Sequence, residues 1–259
     1  MERKDIVKEL EGMGYDAEEI TVTKNRVRMD GIRIIDGSIA PIIYTDGILK
    51  QADRDGMTAD EAACMVIRIM DQNAKPDINL DTLKDPDFIK SHVYIGMQRA
   101  TDEDIVKKPW SVDDCIEMYL YIELTKGATA KVKAGMIDID LDELWEAAAD
   151  NTFDQTDIFN FAEYIGLSDD CPLWVCGNKS RNKGASAILD RRALRIFGER
   201  HGCERVYALP SSVHEWIILP DDKMAGIDIE ALTEMVMMVN GSEVDPVEQL
   251  GDRAYLLAV

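Results

Sequence analysis

The residues that most resemble a catalytic group lie in the segment LPSSVHEWII, residues 209–218. Ser211 and Ser212 precede His214, one of three histidines in the chain, and Glu215 follows it directly. In a nucleophilic triad the histidine lies between the nucleophile and the carboxylate that orients it. Because side chains of a strand alternate between faces, Ser212 and His214 can share a face that Glu215 does not. The segment therefore offers at most a Ser–His pair, and a polar turn between two apolar strands accounts for it more simply.

A cationic loop lies upstream in the segment GNKSRNKG, residues 177–184. It places Lys179, Arg181 and Lys183 close together in an acidic chain, and it leads into a predicted helix. Helix N-termini present free N–H groups that bind anions. The segment lacks the Gly-Lys-Ser/Thr of a phosphate loop. An anion site and an ordinary solvated basic loop are both open interpretations.

The two segments come together if the strands before them run in the same direction. The patterns PLWVC, GASAILDRRALRIFGERHG and RVYALP predict a strand, a helix and a strand. This order favours a parallel pair with a right-handed crossover, so the loops that follow the two strands emerge at one edge. Ligands of α/β sheets bind at that edge, and we therefore predict a pocket for a phosphate or carboxylate. Its expected lining residues are Lys179, Arg181, Lys183, Ser211, Ser212 and His214.

The N-terminal part predicts helices around an antiparallel meander. Residues 2–13 and 59–73 have helical patterns, and Thr58 and Glu61 form a capping box for the second helix. Residues 20–34 alternate between apolar and polar side chains, which is typical of strands with one buried face. Asp30-Gly31 is the expected hairpin turn, because a type I′ turn requires positive φ at both central positions.

The rest of the chain predicts further strands and helices. Residues 114–124 and 129–139 read as a second antiparallel pair around Lys126-Gly127, and helices follow at 141–150 and about 156–165. After the strand–helix–strand unit, WIILP returns antiparallel and AYLLAV forms a last strand. Between them we expect a helix over 229–239, which buries Ile229, Leu232, Met235, Val236 and Val239. Met237 and Met238 are also expected to fill the core.

Together these elements predict a mixed α/β fold, with an N-terminal antiparallel meander with helices and a C-terminal β-α-β-β-α-β unit. We place an N-terminal α+β lobe at residues 1–170 and a C-terminal α/β lobe at 171–259, with a soft boundary near 168–171. A single integrated domain is the alternative.

Composition narrows the classes of function. A chain of 259 residues with 46% hydrophobic and 31% charged residues is typical of a folded protein. It has no apolar run of the roughly 18 residues that a membrane span needs. The start, MERKDIVKELEG, lacks the apolar core of a signal peptide, and five cysteines fit a reducing compartment, so we expect a cytoplasmic protein. The net charge of −21 should repel nucleic acid and anionic membranes. It either serves solubility alone or also attracts a basic partner.

No metal or cofactor is expected. Cys171 and Cys176 bracket a predicted strand, which separates their α-carbons by about 16 Å, too far to share a zinc ion with His201 and Cys203. The alternating aspartates at 138, 140 and 142 lack the glycine and the final glutamate of a calcium loop.

The C-terminal third resembles a family of bacterial domains, mainly from Gram-positive anaerobes, that has no assigned function. Members share an LPSS-x-HE turn, a helix ending in MV-x-x-VN and a V-x-P-x-x-x-L-x-D-x-x-Y-L tail. The matching residues are Leu209 to Glu215, Met235, Val236, Val239, Asn240, Val244, Pro246, Leu250, Asp252, Tyr255 and Leu256. The segments VTKNRVRMDGIRI and PIIYTDGILKQADRDGMTADE are similar to the family's opening hairpin and helix. The chain departs from the family at Gly251, where a serine is expected. The resemblance implies a fold and no catalytic residues.

These observations favour an acidic cytoplasmic binding or interaction protein with a protein partner of basic character. Direct binding to nucleic acid or a membrane is not expected. A specific form is an inhibitor, encoded on a mobile element, that occupies the nucleic-acid-binding surface of its partner. The alternative is a small hydrolase or phosphate-ligand enzyme that uses Ser212 and His214 beside the basic loop. The sequence does not decide between an enzyme and a binding protein, and it does not indicate an oligomeric state.

Overall fold

The computed structural model describes residues 1–35, 40–72, 79–125, 128–166, 171–224 and 228–259. The chain forms two compact units, Met1–Asp77 and Ile78–Val259. Both contain helices and antiparallel sheets, so the predicted mixed α/β class is confirmed. Within the described ranges, every helix is too short or too polar to cross a membrane.

The first unit packs helices against a three-stranded antiparallel sheet. Its elements are α1 (Arg3–Gly12), β1 (Asp16–Lys24), β2 (Val27–Ile35), β3 (Ile42–Tyr44), α2 (Asp46–Asp55) and α3 (Ala59–Gln72). The strand order β1-β2-β3 confirms the predicted meander. Ile6 and Leu10 of α1 and Val66 of α3 share the core with Ile32 and Ile34 of β2. The predicted capping box is also present, since the N–H of Thr58 donates to the Glu61 carboxylate at 2.8 Å and the N–H of Glu61 donates to the Thr58 hydroxyl at 3.3 Å.

The hairpin turn lies at Asn25-Arg26 and not at Asp30-Gly31, where it was predicted. Asn25 and Arg26 have φ values of 48° and 67°, the left-handed conformation that a type I′ turn needs. Gly31 lies inside β2, where a Cβ atom would be 2.8 Å from the carbonyl oxygen of Ile43. The prediction was wrong because this glycine allows the close approach of β3 and does not form a turn.

The second unit contains a four-stranded antiparallel sheet with helices on one face. Its elements are a 3-10 helix (Leu80–Lys84), α4 (Pro86–His92), β4 (Val93–Arg99), β5 (Lys107–Trp110), β6 (Asp113–Thr125), β7 (Ala128–Lys131) and α5 (Leu141–Asp154). Ile89 of α4 and Leu144 and Ala148 of α5 pack on Leu120 and Ile122 of β6. The predicted second antiparallel pair corresponds to β6 and β7, although β7 ends well before residue 139. Lys126-Gly127 lies outside the described residues.

The second unit also contains a five-stranded antiparallel sheet of order β12-β10-β11-β9-β8. Its elements are β8 (Thr156–Asn160), α6 (Phe161–Ile165), β9 (Trp174–Asn178), a 3-10 helix (Gly184–Leu189), α7 (Arg191–His201), β10 (Arg205–Ser212), β11 (Glu215–Pro220), a 3-10 helix (Asp221–Met224), α8 (Ile229–Ser242) and β12 (Tyr255–Ala258). The predicted C-terminal β-α-β-β-α-β order is confirmed. The helix expected at 156–165 is wrong over its first half, which forms β8.

The strands β9 and β10 run in the same direction but do not pair with each other. The strand β11 lies between them and is antiparallel to both. The expected hydrogen-bonded parallel pair is therefore wrong, because the tight turn after β10 inserts β11 next to it. The consequence for the loops still holds, since two strands antiparallel to a common neighbour point the same way. The loops after β9 and β10 emerge at the same edge.

Side chains of the five-stranded sheet alternate between two packed faces. On one face Cys176, Ala208 and Trp216 share a core with Met97 and Ile116 of the four-stranded sheet. Residues on both sides of the predicted lobe boundary near 168–171 therefore share a core, while residues 167–170 lie outside the described residues. The compact units divide elsewhere, between Asp77 and Ile78.

The opposite face of this sheet packs against α8. Leu209 of β10 and Leu219 of β11 contact Leu232 and Val236 of α8 in a separate apolar cluster. Only one side of the helix is buried, and it follows the residues 232, 236 and 240. The methionines at 235, 237 and 238 and Val239 are exposed. Their predicted burial is wrong, because α8 packs on the sheet through one side only, and no second layer covers its other side among the described residues of the second unit.

Candidate functional site

The two serines of the LPSSVHE segment hydrogen-bond to Glu215. The hydroxyl of Ser211 donates to Oε1 of Glu215 at 3.1 Å, and that of Ser212 donates to the same oxygen at 3.0 Å. The oxygen of Ser212 also accepts the N–H of His214 at 3.0 Å. These bonds close the turn between β10 and β11, where the strand register shifts. The serines thus satisfy the polar groups of a tight turn, as residues of this type commonly do.

The ring of His214 binds the cationic loop and a second carboxylate. Its Nδ1 accepts the backbone N–H of Lys183 at 3.0 Å. Its Nε2 lies 3.4 Å from a carboxylate oxygen of Glu248. Because Nδ1 is an acceptor, the proton of the neutral ring is on Nε2, facing Glu248. A general base needs its nucleophile within hydrogen-bond reach, whereas the hydroxyl of Ser212 donates to Glu215.

The side chains of the three cationic residues of the loop contact three different groups. The ammonium of Lys179 donates to the carbonyl of Asp154 at 2.8 Å. The guanidinium of Arg181 lies 3.2 Å from the carboxylate of Asp157 and 3.5 Å from the ring centre of Phe159. The ammonium of Lys183 lies 3.2 Å from the hydroxyl of Thr129 and 5.4 Å from the ring centre of Tyr121. The structure does not gather these charges around one anion.

The loop is folded tightly between β9 and the turn of His214. The side chain of Asn178 binds the backbone of Asn182 in both directions, at 2.8 and 3.2 Å. Arg181 and Lys183 have φ values of 58° and 52°, a conformation that side chains other than glycine seldom adopt. A Cβ atom at Gly184 would lie 2.7 Å from the carbonyl oxygen of His214. Glycine is needed there because the loop touches the turn.

The helix expected after this loop does not provide a free N-terminus for an anion. The loop leads into the 3-10 helix Gly184–Leu189, and α7 begins only at Arg191. The carboxylate of Asp190 accepts the N–H groups of Arg192 and Ala193, both at 3.0 Å. A capping carboxylate already occupies the position that an anion would take.

A cleft of about 180 Å³ opens at the edge where the two loops meet. Its lining residues are Phe159, Phe161, Val175, Gly177, Asn178, Arg181, Ser211, His214, Glu215 and Ile217. Three of the six predicted pocket residues, Arg181, Ser211 and His214, are therefore brought together. Ser212 is buried and does not line the cleft. Lys183 lines a second cleft of about 170 Å³, and Lys179 lines neither.

Carboxylates outnumber cations around the first cleft. Glu215 forms part of its wall, Asp157 pairs with Arg181, and Glu248 pairs with His214. Among the described lining residues, Arg181 supplies one guanidinium against these three carboxylates. The histidine carries charge only when it is protonated. A surplus of negative groups favours a cationic ligand. The ring of Phe159 already holds the guanidinium of Arg181 on its face, an arrangement that stabilises cations.

The sequence did not point to Asp157, Phe159 or Glu248 as parts of this cleft. The first two lie on β8, which was predicted as a helix, so that no pattern placed them beside β9. Glu248 lies in the connection after α8, where a contact with His214 depends on tertiary structure alone. The paired hydroxyls and the carboxylate in LPSSVHE were the available signal for the turn.

The residues of the C-terminal motif attach the end of the chain to the two sheets. Asp252 accepts hydrogen bonds from Arg99 at 2.5 Å and from the side chain of Asn240 at 3.0 Å. The hydroxyl of Tyr255 donates to Asp113 at 2.6 Å. At Gly251 a Cβ atom would lie 3.2 Å from the side chain of Ile116, so a serine there would require a small shift. These motif residues serve the fold.

Comparison with known proteins assigns a family and no activity. Neither a curated protein nor a solved structure matches the chain. Residues 3–258 match the model of DUF5688, a family of unknown function, and the chain belongs to this family.

Proposed function

We propose that this protein is a binding protein whose cleft receives a cationic and partly apolar segment of a basic protein partner. The observation that carries the proposal is the arrangement of carboxylates: Glu215 lines the cleft, and Asp157 and Glu248 pair with its lining residues Arg181 and His214. Among the described lining residues, Arg181 supplies the one guanidinium. The rings of Phe159 and Phe161 supply the apolar wall for the stem of an arginine or lysine side chain.

The net charge of the chain supports the same kind of partner. With 50 acidic and 29 basic residues, the protein attracts cations over long distances and accelerates their encounter. Charge complementarity between partners chiefly raises the association rate and the specificity. We also propose the cytoplasm as the compartment, since the five free cysteines fit a reducing environment. A specific form of the proposal is an acidic inhibitor, encoded on a mobile element, of a nucleic-acid-binding protein.

The hydrogen bonds of the turn favour binding over hydrolysis. Both serine hydroxyls donate to Glu215, and the ring of His214 accepts a backbone N–H. A hydrolase that uses Ser212 would need this hydroxyl to turn toward a base, which breaks the bond that closes the turn.

The first test measures the affinity for a basic peptide. A short fluorescent peptide of alternating arginine and leucine is titrated against the wild-type protein and the Glu215→Gln variant. The amide oxygen of the variant can still accept the serine hydroxyls, so the change removes charge and retains the turn. We expect the variant to have a Kd about tenfold higher than that of the wild type, a difference of about 1.4 kcal/mol. Added salt should raise the Kd of both proteins, because it screens the charges.

The matched control is Glu204→Gln. Glu204 is exposed and directly precedes β10, whereas the cleft lies at the far end of that strand. The control loses the same charge and should bind like the wild type. Equal affinities for all three proteins would overturn the proposal. Labelling of Ser212 in the folded protein by an activity-based phosphonate would instead establish the hydrolase. A rise in Tm with phosphate that Lys179→Ala with Lys183→Ala abolishes would establish the anion pocket.

A further inference from the structure

The helix α8 exposes a dense group of apolar side chains. Met235, Met237, Met238 and Val239 are 49%, 58%, 68% and 39% exposed. Single exposed apolar residues are ordinary on protein surfaces, but contiguous ones mark interaction sites. Methionine is also typical of surfaces that adapt to a partner, because its side chain is flexible and polarizable. This group, which we term the methionine face, is unusual for a chain that is otherwise highly charged.

The position of the methionine face on α8 turns it away from the protein core. Leu232, Val236 and Asn240 are buried and form the inner side of the helix. Around the helix axis, Met235 lies about 60° to 140° and Met238 about 120° to 160° from these three residues. The helix has 14 residues, which corresponds to a length of about 21 Å. The exposed side can therefore accommodate a partner helix of similar length.

The charges beside the methionine face define the partner. Glu230 and Glu234 lie on the exposed part of α8, and Glu243 follows its end. The helix from Ile229 to Ser242 contains no lysine or arginine. A second copy of the chain would bring these glutamates and two net charges of −21 together. An anionic membrane would be repelled in the same way, whereas a basic surface would gain from both the charges and the apolar contact.

We infer that the methionine face of α8 is a docking surface for a basic amphipathic helix of a protein partner. The apolar stripe of that helix packs on Met235 and Met238, and its lysines or arginines pair with Glu230 and Glu234. Recognition of this kind uses apolar anchors spaced at helical intervals. The inference is separate from the cleft and shares with the proposed function only the basic character of the partner.

The experiment uses the full chain, with methyl groups of methionine labelled with ¹³C, and a synthetic Leu/Lys peptide of helical periodicity as the probe. On addition of the peptide, the methyl signals of Met235, Met237 and Met238 should shift. The signal of Met97, which is 1% exposed, should stay in place. The double variant Met235→Ser with Met238→Ser should weaken binding at least tenfold, and Met235→Leu with Met238→Leu should retain it.

Two further variants separate the possible outcomes. Leu141→Ser removes an apolar side chain that is 52% exposed on α5 and should leave binding unchanged. Glu215→Gln should leave the methionine shifts unchanged, so that failure of the cleft and failure of the methionine face are distinguishable. Unchanged affinity of the folded double serine variant would overturn the inference. Two other results would also overturn it if the methionine signals do not shift with the peptide. One is self-association that the serine variant abolishes, and the other is binding to neutral phosphatidylcholine vesicles that the serine variant abolishes.

Discussion

At the scale of single residues, Asp113 is a buried carboxylate with three hydrogen-bond donors. It lies at the start of β6, with its side chain 3% exposed. It accepts hydrogen bonds from the hydroxyl of Tyr255 at 2.6 Å, from Arg253 at 2.8 Å and from the N–H of Cys115 at 2.9 Å. Buried charges persist in proteins when they are paired and hydrogen-bonded in this way.

The surroundings of Asp113 make its contribution to stability depend on pH. Burial alone would raise the pKa of Asp113, but the hydrogen bonds from Tyr255, Cys115 and Arg253 and the charge of Arg253 outweigh burial and lower it. A carboxyl group with a lowered pKa in the folded state stabilises the protein above the pKa of the unfolded state, about 3.9. This stabilisation is lost as the pH falls through the folded pKa.

We therefore predict that Asp113→Asn lowers the free energy of unfolding at pH 7 by about 2 kcal/mol. The gap between the variant and the wild type should shrink below about pH 4, because the wild-type carboxyl is then protonated as well. Urea unfolding at several pH values measures both effects. Asp114→Asn is the control, since its side chain is exposed, and it should change little. A gap that stays constant down to pH 2.5 would contradict the assigned role of the charge.

The serines show why residue types alone mislead at this scale. Ser211, Ser212, His214 and Glu215 have the composition of a catalytic group, yet their hydrogen bonds close one turn. The acceptor to which a serine hydroxyl donates depends on distances of a few tenths of an ångström, and no sequence pattern encodes such distances. Alternation on strands predicted that Glu215 points away from Ser212, whereas the turn brings the Ser212 hydroxyl within 3.0 Å of Glu215.

At the scale of elements, β4 and β6 are held together by a contact that requires glycine. Gly96 and Tyr119 are opposite each other in this antiparallel pair, and the ring of Tyr119 covers Gly96. A Cβ atom at Gly96 would lie 2.5 Å from Cζ of Tyr119. The ring is 6% exposed, so it has little room to move. Overpacking of this kind is destabilising.

Gly96→Ala should lower the free energy of unfolding by about 1–3 kcal/mol. The control is Gly241→Ala, in the last turn of α8, where a Cβ atom meets no atom within 4 Å. Alanine is the better helix former, so this variant should be neutral or more stable by up to about 1 kcal/mol. Chemical unfolding of the two variants beside the wild type provides the comparison. Equal stabilities for Gly96→Ala and the wild type would show that the ring relaxes freely.

Elements with a clear period were predictable from the sequence, and elements set by tertiary contacts were not. The alternation in residues 20–34 and the capping box at Thr58 predicted the first meander and α3, because both signals are local. The strand β8 has no alternation that distinguishes it from a helix, and its pairing with β9 decides its conformation. The hairpin turn was missed because a sequence contains several candidate turns, and the approach of β3 determines which one forms.

The candidate site was likewise predictable only in part: the edge at which the loops meet was predicted, and the side-chain contacts were not. The common edge of the two loops followed from the direction of two apolar strands and is present. The destinations of Lys179 and Lys183 depend on which acceptors their long side chains reach, and the sequence contains no information on that. The acidic partners Asp157 and Glu248 are distant in sequence from the loops that they border.

At the scale of the whole molecule, the two compact units are built from separate sheets. The three-stranded sheet belongs to the first unit, and the other two sheets belong to Ile78–Val259. Within the described ranges, each strand pairs only inside its own unit. The second unit also has a core of its own, which includes Trp110, Trp216 and Tyr255.

We predict that the fragment Ile78–Val259 folds without the first unit. Its amide NMR spectrum should be dispersed and should overlay on the signals of the same residues in the full chain. A cooperative unfolding transition of the fragment should accompany this result. A collapsed, poorly dispersed spectrum would show instead that the second unit depends on residues 1–77 for its stability.

The last strand also has a consequence for the order of synthesis. Tyr255 reaches back to Asp113, a residue 142 positions earlier, and β12 completes the sheet beside β10. A ribosome releases these two partners far apart in time. The second unit consequently reaches its native state only after residue 258 has left the exit tunnel. Until then the carboxylate of Asp113 lacks the donors Arg253 and Tyr255 and is hydrated by water.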